Sequence, residues 1–393
     1  MKGSKWNMKR VLFISLYEPC KYGGRAGGPV ILLNDILEST EQDIEVDLLI
    51  YKKDEIVAEL KKNINFIPWS SLTKKIKNKS LYEMIPKSMG KDFSCYEIDL
   101  IGYEKVILYP YFSSLFKFKN CKAEIYTIGM DSGPMLYLRG IINHKRLLSK
   151  IFCMYMFGQA IHIDKKAARI SKKVFTVGKS DAEFYRSVYI VDAEFISHPV
   201  TKLIDNYTPI KWEQGSKLKI CFPGGNSQFY TYGLVEGIIN LLQENSNKYK
   251  DKVEISILGK IGYRELEQAL RKAKEVGFTI NYEEYVEDFE KYLSMHHIIL
   301  LPLLVGAGTK NKALSSLGMG LDFIGTPIAI ENVNLIKKEH IAKSPHEFLE
   351  QIDVRLNNHK LFGLSKDEII KFKEYHSVNN WFTFFWEEVM EDN

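Results

Sequence analysis

The stretch Gly306–Lys312, "GAGTKNK", places two glycines, a threonine and two lysines within seven residues. It follows the apolar run "ILLPLLV" and precedes "ALSSLGMG", which has the composition of a helix built from small residues. A glycine turn between a strand and a helix can present backbone N–H groups to an anion, and Lys310 and Lys312 would add positive charge. These residue types therefore favour phosphate binding. A tight turn with solvated lysines is the alternative.

Two further glycine-rich turns follow apolar runs that have the pattern of buried strands. One comes after "RVLFISL" and the other comes after "KLKICFP". Neither turn is a GxGxxG fingerprint or a Walker A loop. Because parallel strands end at one edge of a sheet, we expect all three turns to line a common cleft. The residues of these two turns that become candidates are Gly23, Gly24, Gly27 and Gly28 in the first, and Gly224, Gly225 and Asn226 in the second.

Asp131 is the candidate catalytic residue, because it follows the predicted strand "AEIYTIG" almost directly. A carboxylate at that strand end would face the predicted cleft and could orient or deprotonate an acceptor hydroxyl. An Asx-turn ahead of Gly133 is the alternative explanation. His144 and His162 are weaker candidates, since a lone histidine among apolar residues is usually structural. No histidine or cysteine spacing predicts a metal site.

Strand and helix patterns alternate in two blocks, which predicts two α/β domains with doubly wound parallel sheets of the Rossmann-like kind. The predicted first domain covers residues 1–200 and the second covers 217–375. Residues 201–216 lack periodicity and are interpreted as a linker, whereas 376–393 form a final helix. The region between Lys52 and Asp99 has no clear pattern.

Composition and cysteine usage are typical of a globular protein of a reducing compartment. The chain has 393 residues, 45% of them hydrophobic and 26% charged, and its five cysteines are scattered without a CxxC pair. The N-terminal segment has no apolar core of a signal peptide, and no apolar run approaches the roughly 20 residues of a membrane span. We therefore expect a cytoplasmic protein.

Positive charge is concentrated in the first half of the chain. Residues 61–190 contain 23 Lys and Arg against 10 Asp and Glu, although the net charge of the whole chain is only +5. This asymmetry indicates an anionic partner, of which nucleic acid is the least favoured because no RNA- or DNA-binding motif is present. Within this region, Lys145–Lys173 has basic ends around an apolar middle. It fits either a helix on an anionic membrane surface or a core helix with solvated lysines.

The motifs of the second half occur in a recognisable order. "CFPGGN" is followed by "ISILGKIGYRELEQAL", then by "YVEDFEKYLSMHHIILLPL", and then by "GAGTKNKALSSLGMGLDFIGTPIAIENV". In this order and spacing the chain resembles the retaining GT-B glycosyltransferases of the glycogen-synthase-like group 1 family. The opening "RVLFISLYEPCKYGGRAGGPVILLNDIL" and the segment "VFTVGKSDAEFYRS" resemble the first domain of that family.

The resemblance implies a GT-B fold in which residues 1–200 bind the acceptor, 217–375 bind a nucleotide-sugar donor, and 376–393 cross back to the first domain. It implies transfer of a hexose to a glycan or lipid-linked glycan, in surface polysaccharide or glycoconjugate synthesis, without a metal or other cofactor. The protein would act in the cytoplasm or on the inner face of the membrane. The donor-binding residues implied are Gly224, Gly225, Asn226, Gly306, Gly308, Thr309, Lys310, Lys312 and Ser315.

Two departures from the family pattern keep a second function open. The two glutamates that such enzymes carry around the glycine loop correspond to Ala307 and Ser315, and the turn Gly224–Gly233 has no Arg or Lys for a diphosphate. A non-catalytic partner subunit or glycan-binding protein of the same fold is therefore the alternative. A nucleotide-sugar epimerase of similar fold is the third possibility.

Overall fold

The computed structural model describes residues 9–20, 27–56, 59–76, 93–129, 131–144, 146–200, 202–224 and 228–391. The strands in these ranges are β1 (Lys9–Ser15), β2 (Ile44–Ile50), β3 (Ile64–Ile67), β4 (Thr73–Lys75), β5 (Tyr96–Asp99), β6 (Lys105–Tyr109), β7 (Lys117–Lys119), β8 (Glu124–Gly129), β9 (Lys173–Thr176), β10 (Ala193–Phe195), β11 (Leu218–Pro223), β12 (Val253–Leu258), β13 (Thr279–Glu283), β14 (Ile298–Leu301) and β15 (Asp322–Gly325).

The α-helices in the same ranges span Gly28–Glu38, Trp69–Leu72, Gly133–Asn143, Leu147–Ile170, Lys179–Phe184, Gln228–Thr231, Leu234–Glu244, Ser246–Tyr249, Arg264–Glu275, Phe289–Ser294, Asn311–Gly318, Pro345–Asn358, Lys366–Tyr375 and Val378–Met390. Short 3₁₀ segments cover Tyr111–Leu115, Lys202–Asn206 and Lys338–His340, and Tyr185–Tyr189 is a π-helical turn.

The first domain is built on seven parallel strands in the order β10-β9-β8-β6-β1-β2-β3. Both faces of β1 are covered, because Val11 and Phe13 belong to one apolar core and Leu12 and Ile14 belong to another. This two-sided burial explains why the strand is a continuous apolar run in the sequence. The order of the strands reverses between β1 and β6, which makes the carboxyl end of β1 a topological switch point.

The second domain repeats this arrangement with five parallel strands in the order β13-β12-β11-β14-β15. Ile220 and Phe222 of β11 pack into one core, and Cys221 packs into the core on the opposite face. The switch point lies between β11 and β14. The prediction of two doubly wound α/β domains is therefore confirmed. A small third sheet, in the order β4-β5-β7, is formed in part by the region between Lys52 and Asp99 that the sequence left unassigned.

The last helix, Val378–Met390, packs against the first domain. The indole N–H of Trp386 donates to the carbonyl oxygen of Ile36 at 3.2 Å, and the ring centroids of Phe385 and Phe175 are 4.9 Å apart. The Lys105 ammonium donates to the carbonyl oxygen of Val389 at 2.8 Å. The chain thus returns to the first domain after completing the second, which ties the two domains together twice.

A buried ion pair anchors the edge of the second sheet. The guanidinium of Arg355 donates through Nε and Nη2 to the two carboxylate oxygens of Asp322, each at 2.7 Å, and both side chains are fully buried. Asp322 also accepts the backbone N–H of Phe362 at 3.0 Å. The pair holds helix Pro345–Asn358 against β15, the strand whose carboxyl end leads back to the cleft.

We predict that Arg355→Met lowers the free energy of unfolding by about 3–5 kcal/mol, because it leaves the Asp322 carboxylate buried without a counter-charge. Lys248→Met is the control, since it removes only the half-exposed ion pair with Asp353 and should cost less than about 1 kcal/mol. Urea unfolding followed by circular dichroism measures both variants. Equal losses in the two variants would contradict the prediction.

Candidate functional site

Gly28 of the first domain lies close to the start of helix Asn311–Gly318 in the second domain. Gly28 begins the helix that follows β1, and a Cβ atom at Gly28 would lie 2.8 Å from the Asn311 side-chain nitrogen of the second domain. That nitrogen is 3.1 Å from Nε2 of His198. The structure therefore brings Gly28, the last residue of the first predicted turn, together with the start of helix Asn311–Gly318. Gly27 is described and exposed, whereas the predicted site residues Gly23, Gly24, Gly225 and Asn226 lie outside the described residues.

Gly308 is a point of very close approach between the domains. Its φ is +66°, a conformation that favours glycine. A Cβ atom at this position would lie 1.8 Å from Oδ1 of Asp131, and the Gly308 N–H donates to Oδ2 of Asp181 at 2.9 Å. Two carboxyl groups from the carboxyl ends of β8 and β9 therefore enclose one glycine of the second domain. The close approach depends on the absence of a side chain at Gly308.

The rest of the loop also contacts the first domain through polar groups. The Thr309 hydroxyl donates to the carbonyl oxygen of Val177 at 2.5 Å, and the Asn143 amide donates to the carbonyl oxygen of Leu304 at 3.0 Å. Arg139 Nη1 donates to the carbonyl oxygen of Gly306 at 2.7 Å. The cleft is thus closed over Gly306, Gly308 and Thr309. In this closed state, the Gly306 carbonyl oxygen, the Gly308 N–H and the Thr309 hydroxyl are hydrogen-bonded to atoms of the first domain.

An ion pair spans the two domains beside the loop. Arg139 donates to both carboxylate oxygens of Glu331, at 2.7 and 2.8 Å, and the Ser180 hydroxyl donates to the same carboxylate at 2.6 Å. Burial opposes ionisation of Glu331, but these hydrogen bonds outweigh it and hold the pKa of Glu331 below its ordinary value. The bidentate geometry gives the pair both strength and a defined orientation.

Asp131 and Asp181 both have pKa values close to neutrality. Burial raises the pKa of Asp131 to about 6, although the positive charge of Lys310 opposes the shift. Burial raises the pKa of Asp181 to about 7, and repulsion from Asp131 and Glu331 contributes. Asp181 Oδ1 is buried and has no hydrogen-bond partner within the described ranges. At neutral pH the pair can therefore hold or release a proton in the cleft, which acid–base chemistry requires.

The two candidate lysines differ in their surroundings. The Lys310 ammonium folds back onto its own loop and donates to the carbonyl oxygens of Ala307 and Gly308, at 2.5 and 2.8 Å. The Lys312 ammonium lies against Gly224, where a Cβ atom would be 2.9 Å from Nζ. Burial lowers the pKa of Lys312 to about 8, and no carboxylate or other hydrogen-bond partner contacts its ammonium in the described part of the chain. Lys312 is therefore the cation that remains available for an anion.

Gly224 lies at the carboxyl end of β11 with a φ of +52°. A Cβ atom at Gly259 would meet the Gly224 Cα at 2.8 Å, so two glycines allow the turns after β11 and β12 to touch. Both glycines have positive φ, so a side chain at either position would be strained as well as crowded.

Ser315 lies one helical turn beyond Lys312, and its hydroxyl donates to Oε1 of Glu290 at 3.3 Å. Both side chains are buried. Glu290 comes from helix Phe289–Ser294, 25 residues earlier in the chain. A carboxylate thus lies next to a position where the family pattern would have a glutamate, although it comes from a different helix.

Sequence reasoning missed four polar residues: Arg139, Asp181 and Glu331 at the domain interface, and Glu290 beside Ser315. Asp181 and Glu331 follow β9 and β15 by a few residues, so the rule that singled out Asp131 would have found both. Arg139 and Glu290 lie within helices, and only the packing of those helices directs Arg139 to the loop at Gly306 and Glu290 to Ser315. No local pattern in the sequence marks them.

The two histidines named as weaker candidates from the sequence have different surroundings. The imidazole of His144 is buried between the rings of Phe229 and Tyr232, each with its centroid 5.3 Å away, and burial lowers its pKa. His162 is exposed on helix Leu147–Ile170. Among the described residues, no group of three or more His, Cys, Asp or Glu side chains is arranged to hold a metal ion.

No family model and no curated protein sequence matches the chain. Solved structures match it over nearly its whole length. Sucrose-phosphate synthase from Thermosynechococcus elongatus aligns with a TM-score of 0.66 at 13% identity, covering 97% of this chain and 99% of that chain. An α,α-trehalose-phosphate synthase (UDP-forming) from Burkholderia xenovorans, in complex with glucose-6-phosphate, aligns with a TM-score of 0.59 at 10% identity, covering 97% and 100%.

A third structure, described as trehalose-6-phosphate from E. coli bound with UDP-2-fluoro glucose, aligns with a TM-score of 0.58 at 11% identity and covers 98% of this chain and 100% of that chain. Similarity at this level of identity shows a shared fold. The chain therefore has the GT-B fold, with two Rossmann-like domains that face a cleft.

We predict that Gly308→Ala destabilises the closed arrangement, because the added methyl group collides with the Asp131 carboxylate. Gly215→Ala is the matched control, since Gly215 has a φ of +83° but open space around its Cβ position. Both variants carry the same kind of backbone strain, so the collision should cost Gly308→Ala a further 1–3 kcal/mol or so. Thermal unfolding and the radius of gyration from X-ray scattering measure the difference. Equal melting temperatures and equal radii for the two variants would contradict this explanation.

We further predict that Asp181→Asn stabilises the protein at pH 8 but not at pH 4. The pKa of Asp181 is higher in the folded state than its ordinary value of 3.8, so the folded protein binds the proton more tightly. Its contribution to stability is therefore complete near pH 4 and is lost as the pH rises through 7.

The neutral amide of Asp181→Asn removes this loss. Each unit of pKa displacement corresponds to about 1.4 kcal/mol, so the gain at pH 8 is a few kcal/mol at most. Melting temperatures between pH 4 and 8 test it, with the exposed Asp251→Asn as control. If the melting temperatures of the native protein and of Asp181→Asn differed by the same amount at every pH in this range, the prediction would be refuted.

Proposed function

We propose that this protein is a glycosyltransferase that moves a hexose from a nucleotide-sugar donor to a glycan or lipid-linked glycan acceptor, with retention of configuration, in the cytoplasm. The observation that carries the proposal is the Lys312 ammonium, half-buried beside Gly224 at the switch point of the second sheet. A partly buried cation without a carboxylate partner costs free energy unless an anion binds beside it. A diphosphate at the carboxyl end of β11 would supply that charge.

Charge divides the cleft into two parts. Around Gly308, the carboxyl groups of Asp131, Asp181 and Glu331 outnumber the cations Arg139 and Lys310. Acidic groups that are partly protonated suit the hydroxyls of a sugar, because they can donate as well as accept hydrogen bonds. The diphosphate would therefore lie toward Lys312 and Gly224, and the transferred sugar toward Asp131.

We propose Asp131 as the residue that orients the acceptor hydroxyl. During transfer, the bond from the sugar carbon to the diphosphate breaks, the bond to the acceptor oxygen forms, and the hydroxyl proton is released. A carboxyl group with a pKa of about 6 can accept that proton near neutral pH. The departing diphosphate is a second acceptor for the proton, and Lys312 would stabilise its charge.

The bound molecules named for the similar structures are consistent with this division. The E. coli structure holds UDP-2-fluoro glucose, and the Burkholderia xenovorans structure holds glucose-6-phosphate. For this chain they support a nucleotide-sugar donor and a sugar-containing acceptor. A role in surface polysaccharide or glycoconjugate synthesis is part of our proposal.

One observation favours the alternative of a non-catalytic partner subunit or glycan-binding protein. The Gly308 N–H, the Thr309 hydroxyl and the Lys310 ammonium, which are implied to bind the donor, all bind protein atoms in the closed cleft. Donor binding at these groups would require the loop to separate from the first domain. A protein that keeps the cleft closed would bind no donor.

We predict that a nucleoside diphosphate or nucleotide sugar raises the melting temperature, and that Lys312→Met reduces the effect. Loss of one charge-assisted contact should weaken binding roughly tenfold or more. Lys310→Met should weaken it less, because the Lys310 ammonium is held by loop carbonyls. Lys272→Met, on an exposed face of helix Arg264–Glu275, is the control.

A thermal-shift screen across nucleoside diphosphates, with and without a linked hexose, identifies the ligand. Release of the nucleoside diphosphate from the matching nucleotide sugar then measures turnover. A protein that no nucleotide stabilises at millimolar concentration would favour the partner-subunit alternative. Stabilisation that is equal in Lys312→Met and in the native protein would assign the diphosphate to another part of the cleft.

A further inference from the structure

The outer face of helix Leu147–Ile170 is apolar and exposed along its first half. Leu148 is 81% exposed, Leu147 is 71% exposed and Phe152 is 51% exposed. Of the seventeen large hydrophobic residues that are exposed in the described part of the chain, seven lie within fourteen residues at this one place. They are Ile142, Leu147, Leu148, Ile151, Phe152, Met154 and Tyr155.

The opposite face of the same helix accounts for its apolar composition only in part. Cys153, Ala160 and Ile163 are buried. The packing is close, because a Cβ atom at Gly140 would lie 2.6 Å from the sulfur of Cys153 and one at Gly133 would lie 2.9 Å from the Cβ of Ala160. The helix thus has a core face, as one alternative from the sequence expected, and in addition an apolar face whose large side chains are 44–81% exposed.

Positive charge continues the exposed face along the second half of the helix. Successive steps of three and four residues form one exposed stripe of side chains, which changes from apolar to cationic after Gly158. Arg146 contributes less than the sequence implied because it forms an ion pair with Glu265, and the Lys166 ammonium points to the carbonyl oxygen of Phe116 at 3.4 Å. The stripe consists of Leu148, Ile151, Phe152, Tyr155, Gly158, His162, Lys165 and Arg169.

We propose that this stripe binds the surface of an anionic membrane. The apolar half would lie at the boundary between headgroups and acyl chains, and Lys165 and Arg169 would contact lipid phosphates. Interfacial helices combine an apolar segment with basic residues in this way. An exposed apolar patch of this extent on a polar surface is itself a mark of an interaction site. In the described residues, no helix is long and apolar enough to cross a membrane.

The stripe lies beside the cleft, and this position suggests a function for the membrane contact. The turn between helices Gly133–Asn143 and Leu147–Ile170 touches the second domain, where the Asn143 amide donates to the carbonyl oxygen of Leu304 and Arg146 pairs with Glu265. These residues also line an open pocket of about 490 Å³ at the domain boundary. If the proposed transferase function holds, on which this step alone rests, a membrane-held acceptor would meet the cleft at this edge.

Co-sedimentation with vesicles tests the proposal directly. The native protein should sediment with vesicles containing phosphatidylglycerol, and high salt should reduce the bound fraction. The double variants Leu148→Ser/Phe152→Ser and Lys165→Ser/Arg169→Ser should each bind roughly tenfold more weakly. The control is Ile101→Ser/Ile370→Ser, which removes two exposed hydrophobic residues elsewhere, 69% and 56% exposed, and should bind as the native protein does.

Three results would overturn the proposal. The first is equal binding of the native protein to neutral phosphatidylcholine vesicles and to anionic vesicles. The second is equal binding of the stripe variants and the native protein. A native dimer in gel filtration that Leu148→Ser/Phe152→Ser dissociates, without binding to vesicles, would assign the stripe to a second copy of the chain. Because the nucleotide thermal shift is measured without lipid, failure here is distinguishable from failure of the transferase function.

Discussion

The closed arrangement of the two domains depends on one residue that has no side chain. Gly308 allows the Asp131 carboxylate to approach its Cα and donates its N–H to Asp181. Any larger residue would separate the carboxyl ends of the two sheets, and the polar contacts beside it would lengthen. The Arg139–Glu331 pair is among those contacts, since it bridges the same two domains next to the loop. The geometry of the cleft therefore follows from a local backbone requirement.

This close approach has an electrostatic consequence. It brings Asp131 and Asp181 into one poorly solvated space, where both cannot ionise freely. One proton shared in the cleft lowers the repulsion and leaves a group that both donates and accepts hydrogen bonds. Lys312 lies apart from these acids, because its ammonium is packed against Gly224. The chain thus separates acidic and cationic surroundings by a few residues of a single turn.

The sequence predicted the fold and the strand ends, because both depend on local patterns. Continuous apolar runs marked the buried strands, and glycines after them marked the turns. Asp131 was found by that rule, and Asp181 could have been found by the same rule. Arg139 and Glu290 could not be found in this way, because each lies within a helix and reaches its partner only when that helix packs against a distant part of the chain. The different surroundings of Lys310 and Lys312 also could not be predicted from the sequence, because they depend on the conformation that each lysine side chain adopts in the folded protein.

Two features of the molecule reduce its stability, and one helix connects them. Carboxyl groups whose pKa values are raised toward neutral pH destabilise the folded protein as the pH rises, and an apolar helix face in water contributes nothing to folding. Departures from local consistency of this kind concentrate at functional sites in natural proteins. Here the acidic cleft and the exposed stripe are joined by helix Gly133–Asn143, which begins two residues after Asp131 and ends at the turn that leads into the stripe. A ligand that occupied the cleft and a surface that covered the stripe would remove both penalties along one continuous element.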